Sequence, residues 1–296
     1  MTHAFELRNV TKRYGSTLAL DSVTVAVPRR SIVGLIGRNG SGKSTLLRHV
    51  TGLVLPNTGE CITLGKPASK LGSAELARIG AVEQHAMSLE WMRAGRLLRY
   101  VSSFYSTWDR SLEADLVASL EVDLAGRVMG MSPGNRQRLS LVLATCHHPD
   151  LLLLDEPLSD LDPIARQTVL ALLLDRFSTD DITIVISSHM LRDIEPVVNR
   201  IICLDHGRVV MDDEIDALSE RFAEWIVTSP EGRLPATWDE PYVISAQGDR
   251  VRARLLVRDP ALHEATFAAV HGAHLESRPL NLESVFPLLT GRGSSR

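Results

Sequence analysis

The chain contains little cysteine and no long apolar run. Its three cysteines, Cys61, Cys146 and Cys203, lie far apart and form no Cys-x-x-Cys pair. This spacing argues against a disulfide framework or a zinc site and suits a reducing cytoplasm. The longest apolar stretches, such as LLLL and ITIVI, are far shorter than the roughly 20 residues that a membrane-spanning helix needs. The start MTHAFELRNVTKRYG also has no apolar core of signal-peptide length. We therefore expect a soluble protein that would need a partner chain for any work at a membrane.

Basic segments are absent as well. The net charge is −4, and the sequence has neither a basic tail nor a polybasic block. We therefore expect no nucleic-acid partner. The remaining composition is that of an ordinary globular protein, because 44% of the 296 residues are hydrophobic. That content is sufficient for a sizeable core, and the length fits one large domain with a smaller one.

The order of strand-like and helix-like segments predicts an α/β protein. Residues 3–36 contain clusters of strand-forming residues joined by polar turns, and residues from about 88 to 130 form a helical, aromatic-rich segment. Helices and strands then alternate from NRQRLSLVLATCHH to RIICLDHGRVV. Strands separated by helices predict a largely parallel sheet with both faces covered. After about Ser219 the pattern changes to that of a small α+β domain.

The stretch GRNGSGKST, residues 37–45, fits the phosphate-loop pattern G-x-x-x-x-G-K-[ST] between a predicted strand and a predicted helix. Its glycines let backbone amides curl around phosphate oxygens, and the helix that follows points its free N–H groups at the anion. We expect Lys43 to reach the β- and γ-phosphates and the Ser44 hydroxyl to bind Mg²⁺. A glycine-rich turn with an exposed lysine is the alternative, which the strand–loop–helix context disfavours. The residues expected to contact nucleotide here are Gly37, Asn39, Gly40, Ser41, Gly42, Lys43, Ser44 and Thr45.

A phosphate loop alone fits a kinase, a GTPase or an ATPase. The stretch LLLLDE delivers Asp155 and Glu156 to the carboxyl end of a strand, where α/β sheets bind ligands. Asp155 suits the Mg²⁺ shell, and Glu156 suits a general base that polarises the attacking water. Two further predicted strands end with His189, expected to bond the γ-phosphate, and with Gln84, expected to touch Mg²⁺ and the water. Taken singly, each of these side chains is also common at an ordinary strand end.

Over roughly residues 4–217 the chain resembles the nucleotide-binding subunits of ATP-binding cassette (ABC) transporters, because several motifs occur in that family's order. The resemblance makes Tyr14 the adenine-stacking aromatic. It also identifies Walker A with residues 37–45, the Q-loop glutamine with Gln84, the signature with MSPGNRQR at residues 131–138, Walker B and the catalytic glutamate with LLLLDE, the D-loop with residues 159–162, and the switch histidine with His189.

The family's fold is a P-loop NTPase cassette with an antiparallel β-subdomain and a helical subdomain. The resemblance therefore implies such a cassette over residues 1–218, with its helical subdomain at about residues 88–130, and a small C-terminal α+β domain at residues 219–296. Most aromatic residues of the helical subdomain are expected to fill its core. Trp91 and Tyr105 are candidates for a groove that receives a helix of the permease.

The resemblance also implies a function, the ATP-driven powering of a membrane transporter. The implied ligands are ATP and Mg²⁺, and the implied partners are a separate transmembrane permease and a second nucleotide-binding subunit, either identical or related. The protein would then lie in the cytoplasm, at the inner face of the cell membrane. By this resemblance the catalytic residues are Lys43, Glu156 and His189, the metal-supporting residues are Ser44, Gln84 and Asp155, and Ser132 and Gly134 contact nucleotide through the signature.

One motif departs from the family pattern. The signature usually reads LSGGQ, and here it reads MSPGN. Pro133 cannot donate an N–H group, so one phosphate contact is lost, whereas Ser132 and Gly134 remain. This loosened signature and the terminal stretch NLESVFPLLTG are similar to exporter-type cassettes. The alternatives are a soluble cassette protein and a regulatory cassette without hydrolysis. The single cassette and the intact Glu156 and His189 disfavour them.

Overall fold

The computed structural model divides into two compact units, residues 1–212 and 213–296. The sequence-based domain boundary at residue 218 falls within the helix Ile215–Arg221, which belongs to the second unit. None of the helices in the described part of the chain has the length and apolar character required to cross a membrane. The structure describes residues 3–83, 89–179, 181–229, 231–271 and 273–279.

The first unit combines two sheets with helices. Its strands, the last of which extends to Glu214, are β1 (His3–Tyr14), β2 (Thr17–Pro28), β3 (Ile32–Ile36), β4 (Thr58–Thr63), β5 (Lys66–Pro67), β6 (Ile79–Val82), β7 (Leu151–Leu154), β8 (Thr183–Ser188), β9 (Arg200–Asp205) and β10 (Arg208–Glu214). Its helices are α1 (Lys43–Val50), α2 (Ser73–Leu76), α3 (Ala94–Ser102), α4 (Arg110–Ser119), α5 (Pro133–Thr145) and α6 (Pro163–Thr179), with short 3₁₀ turns at Ala68–Lys70, Val128–Gly130 and Leu191–Asp193.

The larger sheet confirms the predicted parallel arrangement. Its strand order is β10-β9-β3-β8-β7-β6, and the five strands from β9 to β6 run parallel. Every residue of β3, β7 and β8 is buried. Strands covered on both faces read as continuous apolar runs, which explains the sequences IVGLI and LLLL. The smaller sheet, β2-β1-β4-β5, is antiparallel throughout.

The helical segment that was expected at about residues 88–130 contains α3 and α4 and leads into α5. Leu97 and Leu98 of α3 and Leu112 and Leu116 of α4 are buried. The Asp109 carboxylate caps α4 by accepting the N–H of Leu112 at 2.9 Å. An Asp at this position satisfies one of the free donors of the first turn, so the start of α4 is fixed locally.

In the described part of the first unit, His49 and His147 are buried, and burial lowers the pKa of each below 6.5. The imidazole of His49 donates from Nδ1 to the Thr45 carbonyl oxygen at 2.7 Å. The imidazole of His147 stacks on the ring of Tyr105 with 4.2 Å between the ring centroids. Tyr105 is therefore half-buried against His147, while Trp91 is 61% exposed.

The unfolding free energy is expected to fall as the pH drops below about 6.5, since the unfolded chain then binds protons that the folded histidines do not yet accept. Replacing His147 with Phe keeps the stacking on Tyr105 and removes one of these titrations. Urea denaturation at a series of pH values should therefore show a shallower loss of stability for His147→Phe. The control is His206→Asn at an exposed position whose φ of 45° Asn tolerates. An unchanged pH slope in His147→Phe would contradict the assignment.

The second unit is an antiparallel sheet with a helix. Its elements are α7 (Ile215–Arg221), β11 (Phe222–Thr228), β12 (Val243–Gly248), β13 (Arg252–Arg258), α8 (Pro260–His271) and β14 (His274–Pro279), and the strand order is β12-β13-β11-β14. Trp225 and Phe267 are fully buried, with ring centroids 5.0 Å apart. The stretch NLESVFPLLTG lies outside the described residues.

Candidate functional site

Three adjacent strands end at one edge of the parallel sheet. The register pairs Ile36 of β3 with Ser188 of β8, and Leu154 of β7 with Ile186 of β8. The residues that follow these strands are the predicted phosphate loop, the acidic pair and His189. Because the carboxyl ends of neighbouring parallel strands share an edge, the sheet brings these three groups together, at the position where α/β sheets bind ligands.

The phosphate loop depends on glycine at two positions. A Cβ atom on Gly42 would lie 2.5 Å from the Ala19 carbonyl oxygen, and this residue has a φ of 110°. A Cβ atom on Gly37 would lie 2.4 Å from the Leu204 carbonyl oxygen. Larger residues would therefore displace the backbone at both ends of the loop. The loop borders an open cavity of about 250 Å³, lined by Thr17, Ala19, Arg38, Asn39, Gly40, Ser41, Gly42, Lys43, Ser44, Thr45 and Glu156.

The carboxylate of Glu156 lies beside this cavity, between the side chains of Lys43 and His189. The Lys43 ammonium donates to the Gly37 carbonyl oxygen at 2.7 Å and lies 3.2 Å from Glu156 Oε1. The other carboxylate oxygen, Oε2, lies 2.9 Å from His189 Nδ1. Lys43 and Glu156 are 6% and 5% exposed, so their charges interact in a poorly solvated environment. Glu156 has a φ of 49°, a backbone conformation that is uncommon outside glycine and that occurs in functional sites.

Asp155 is held by a residue that the sequence reading did not single out. The hydroxyl of Ser187, the fifth residue of β8, donates to Asp155 Oδ1 at 2.6 Å. The same hydroxyl accepts the backbone N–H of Glu156 at 2.8 Å. The only local signal was a serine two residues before His189, which gives no indication of its partners. These partners follow from the pairing of β7 with β8.

The residues available for Mg²⁺ fit this cation. Ser44 and Asp155 line one small hollow beside α1, and a hydroxyl with a carboxylate is an oxygen donor set that Mg²⁺ prefers. Within the described ranges, no group of three or more His, Cys, Asp and Glu side chains is arranged to hold a metal ion. Such a site suits an ion that takes its remaining ligands from phosphate and water. The third predicted supporting residue, Gln84, lies outside the described residues.

The predicted adenine-stacking residue lies near the cavity. Tyr14 ends β1 and pairs in register with Thr17, which lines the cavity. Its ring is 46% exposed, and the Lys12 ammonium lies 5.2 Å from the ring centroid. A flat, accessible aromatic face at this position is suited to stacking on a base.

The signature residues do not line the cavity of their own chain, as far as the described residues show. Ser132 caps α5 by accepting the N–H of Asn135 at 3.3 Å, and Pro133 occupies the first helical position, where a missing N–H is harmless to the helix. A Cβ atom on Gly134 would lie 2.7 Å from the Asp160 carbonyl oxygen. The first turn of α5 therefore packs directly on the predicted D-loop.

Comparisons with known proteins agree with this geometry. The family model described as ABC transporter matches residues 20–159. The chain is 31% identical to the Nod factor export ATP-binding protein I of Sinorhizobium fredii. The alignment covers 98% of this chain and 86% of the relative. The protein of the same name in Burkholderia orbicola is also 31% identical to this chain, over 97% of each. These alignments extend through the second unit.

Solved structures share the fold of nearly three quarters of the chain. An ATP-binding subunit of an ABC transporter superposes with a TM-score of 0.66 and 24% identity, over 73% of this chain and 91% of that chain. A dimeric bacterial ABC transporter cassette gives a TM-score of 0.63 and 25% identity, over 71% and 98%. The fold and the phosphate-loop edge define a P-loop ATPase cassette. The chain belongs to the ABC transporter family, as an ATP-binding subunit with ATPase activity.

Proposed function

We propose that this subunit powers an exporter by binding and hydrolysing Mg²⁺-ATP between two cassettes, with Glu156 as the general base. The observation that carries the proposal is the position of Glu156, buried at the edge of the cavity between Lys43 and His189. A carboxylate at this position can accept a proton from water attacking the terminal phosphate. Relatives whose names include export support the direction of transport.

Each side chain of the edge then has a distinct task. Lys43 and the loop amides bind phosphate oxygens, and Mg²⁺, when bound by Ser44 and Asp155, neutralises phosphate charge. When Lys43 turns its ammonium from Glu156 to a phosphate, Glu156 Oε1 becomes available to water. His189 holds the other carboxylate oxygen, so the base keeps its orientation while Lys43 moves. Tyr14 stacks on the adenine.

The separation of the signature from its own cavity supports a head-to-tail dimer. Ser132 and Gly134 would then contact the nucleotide held by the other cassette, and the two-fold arrangement satisfies both sites at once. A dimeric cassette of this fold provides a structural precedent. ATP would favour the closed pair because it contacts both subunits, and hydrolysis would remove these contacts.

Exposed apolar side chains in the helical segment support contact with a membrane partner. Trp91, Phe104 and Met129 are 61%, 66% and 62% exposed. Trp91 and Met129 belong to neighbouring segments, because the Met129 N–H donates to the Glu90 carbonyl oxygen at 2.8 Å. Large apolar side chains grouped on a surface indicate an interaction site. We assign the surface that carries Trp91 and Met129 to the permease, which would hold the subunit at the inner face of the membrane.

Purification of the tagged chain from its source in mild detergent tests this proposal. The expected result is a polytopic membrane protein in a fixed ratio to the subunit, together with Mg²⁺-dependent ATPase activity. Trp91→Ala combined with Met129→Ala should weaken this association, since the apolar contact is lost. Ile164→Ala, at a 77% exposed position on α6, is the matched control and should leave it intact. Recovery of ribosomes or DNA in place of a membrane chain would overturn the transport role.

A further inference from the structure

Ser187 is completely buried at the carboxyl end of β8, in the middle of the parallel sheet. Its neighbour across the sheet is the end of β7, where Leu154 pairs with Ile186. Asp155 and Glu156 follow Leu154 directly and are 4% and 5% exposed. A hydroxyl in this position has no access to bulk water, so its hydrogen bonds are made within the protein or not at all.

Both hydrogen bonds of the Ser187 hydroxyl go to the acidic pair. Its single proton is donated to Asp155 Oδ1 at 2.6 Å, and a lone pair accepts the Glu156 N–H at 2.8 Å. A hydroxyl has one proton, and Ser187 donates it to Oδ1 of Asp155. This bond restrains the rotation of the carboxylate and so sets the direction in which the other oxygen, Oδ2, points. The acceptance from Glu156 fixes the peptide that precedes its left-handed backbone, with φ of 49°.

We propose that Ser187 is a positioning residue for ATP hydrolysis, which sets the direction of the Asp155 carboxylate toward Mg²⁺ and the backbone of Glu156 beside the attacking water. This inference rests on the proposed function, in which Asp155 supports the metal and Glu156 is the base. Ser187 acts through these two residues, to which its hydroxyl is hydrogen-bonded. Groups that orient metal-supporting side chains influence affinity and turnover by about 10–100-fold when they are removed.

The test compares Ser187→Ala and Ser187→Thr with the unaltered protein. Nucleotide binding is measured with AMP-PNP in EDTA, metal binding with Mn²⁺ by electron paramagnetic resonance on the AMP-PNP complex, and turnover with ATP. Ser187→Ala should bind AMP-PNP in EDTA normally, bind Mn²⁺ about 10-fold more weakly and lose about 10–100-fold in kcat. Ser187→Thr keeps the hydroxyl on a residue that suits strands and should recover most of both losses.

Thr183→Val is the matched control because it removes a buried hydroxyl from the opposite end of the same strand. The Thr183 hydroxyl accepts the Arg30 N–H at 2.9 Å, and its residue is 1% exposed. This variant should keep normal Mn²⁺ affinity and kcat. Equal losses in Thr183→Val and Ser187→Ala, or normal Mn²⁺ affinity and kcat in Ser187→Ala, would overturn the proposal. If Ser187→Ala does not fold, Ser187→Cys, which fills the site with a weaker hydrogen-bond donor, replaces it under the same criteria.

The two readouts separate this inference from the proposed function. Mn²⁺ affinity reports on Asp155 without any hydrolysis, whereas kcat also reports on Glu156. Normal turnover in Glu156→Gln would overturn the assignment of the base, and the Mn²⁺ affinity of Ser187→Ala would still decide whether Ser187 orients Asp155. Suppose instead that Glu156→Gln loses turnover as expected and Ser187→Ala binds Mn²⁺ normally. The role of Ser187 in orienting Asp155 would then be overturned, whereas Glu156 would remain assigned as the base.

Discussion

Replacing Glu156 with Gln is expected to lower kcat for ATP hydrolysis by about 10²–10⁴-fold, the range typical of a lost general base. The amide has nearly the shape of the carboxylate, so it can still contact Lys43 and His189, which lie 3.2 and 2.9 Å from the carboxylate oxygens. It cannot take up a proton from water at neutral pH. Removal of a negative charge beside the phosphates should also leave ATP binding at least as tight as before. Single-turnover phosphate release and equilibrium ATP binding measure the two effects separately.

A stable ATP-bound dimer is the second consequence of the same substitution. Light scattering after size-exclusion chromatography in Mg²⁺-ATP should show Glu156→Gln as a dimer, since the contacts that close the pair are no longer removed by hydrolysis. Adding Ser132→Ala should shift it toward monomer, because the serine would face the nucleotide of the other cassette. Glu60→Gln, a 50% exposed carboxylate on the antiparallel sheet, is the control and should turn over normally. Turnover at the normal rate in Glu156→Gln would refute the assignment.

Replacing Lys43 with Ala is expected to lower the unfolding free energy of the nucleotide-free protein by about 3 kcal/mol, because removing one partner of a buried ion pair leaves an uncompensated charge. Within the described part of the chain, Glu156, 5% exposed, would keep His189 but lose Lys43 as a partner for its carboxylate. The same change should weaken ATP binding by about 10–100-fold, since hydrogen bonds from a charged group to phosphate contribute about 1.5–3 kcal/mol. Urea denaturation without nucleotide measures the first effect, and calorimetric titration with ATP measures the second.

A double-mutant cycle identifies the cause of that instability. Lys43→Ala combined with Glu156→Gln should be more stable than Lys43→Ala alone, because the amide carries no charge to bury. Lys66→Ala provides the matched control. Lys66 also pairs with a glutamate, Glu75 at 2.9 Å, but its side chain is 43% exposed, so its loss should cost only about 0–1 kcal/mol. Additivity of the two substitutions within about 0.5 kcal/mol would show that Lys43 and Glu156 do not interact.

The sequence could predict the features that depend on a short run of consecutive residues, namely the phosphate loop and the buried parallel strands. The phosphate loop was recognisable because Gly37 and Gly42 occupy positions where a Cβ atom would collide with a carbonyl oxygen. The parallel sheet was recognisable because strands buried on both faces are uninterrupted apolar runs, such as residues 151–154. The roles of the individual side chains at the sheet edge stay predictions.

Other features depend on which distant segments become neighbours, and the sequence does not encode this in any short stretch. Ser187 reads as an ordinary serine until the register of β7 and β8 places it beside Asp155. Tyr105 was a candidate for a groove that receives a permease helix, although most aromatic residues of its segment were expected in the core, and the structure stacks it on the buried His147. Each of these outcomes requires the tertiary pairing of elements that lie more than thirty residues apart.

Gly134 lies so close to the Asp160 carbonyl oxygen that a Cβ atom would not fit between them. The start of α5 therefore packs tightly against the loop at residues 159–162. The Arg138 guanidinium, 2.9 Å from the Asp162 carboxylate, ties the same helix to the end of this loop. Closely packed segments have low compressibility, so a displacement of one segment is transmitted to the other. In the proposed dimer the start of α5 would face the other cassette. A displacement of this helix would then also displace the loop that follows Glu156, the residue proposed as the general base.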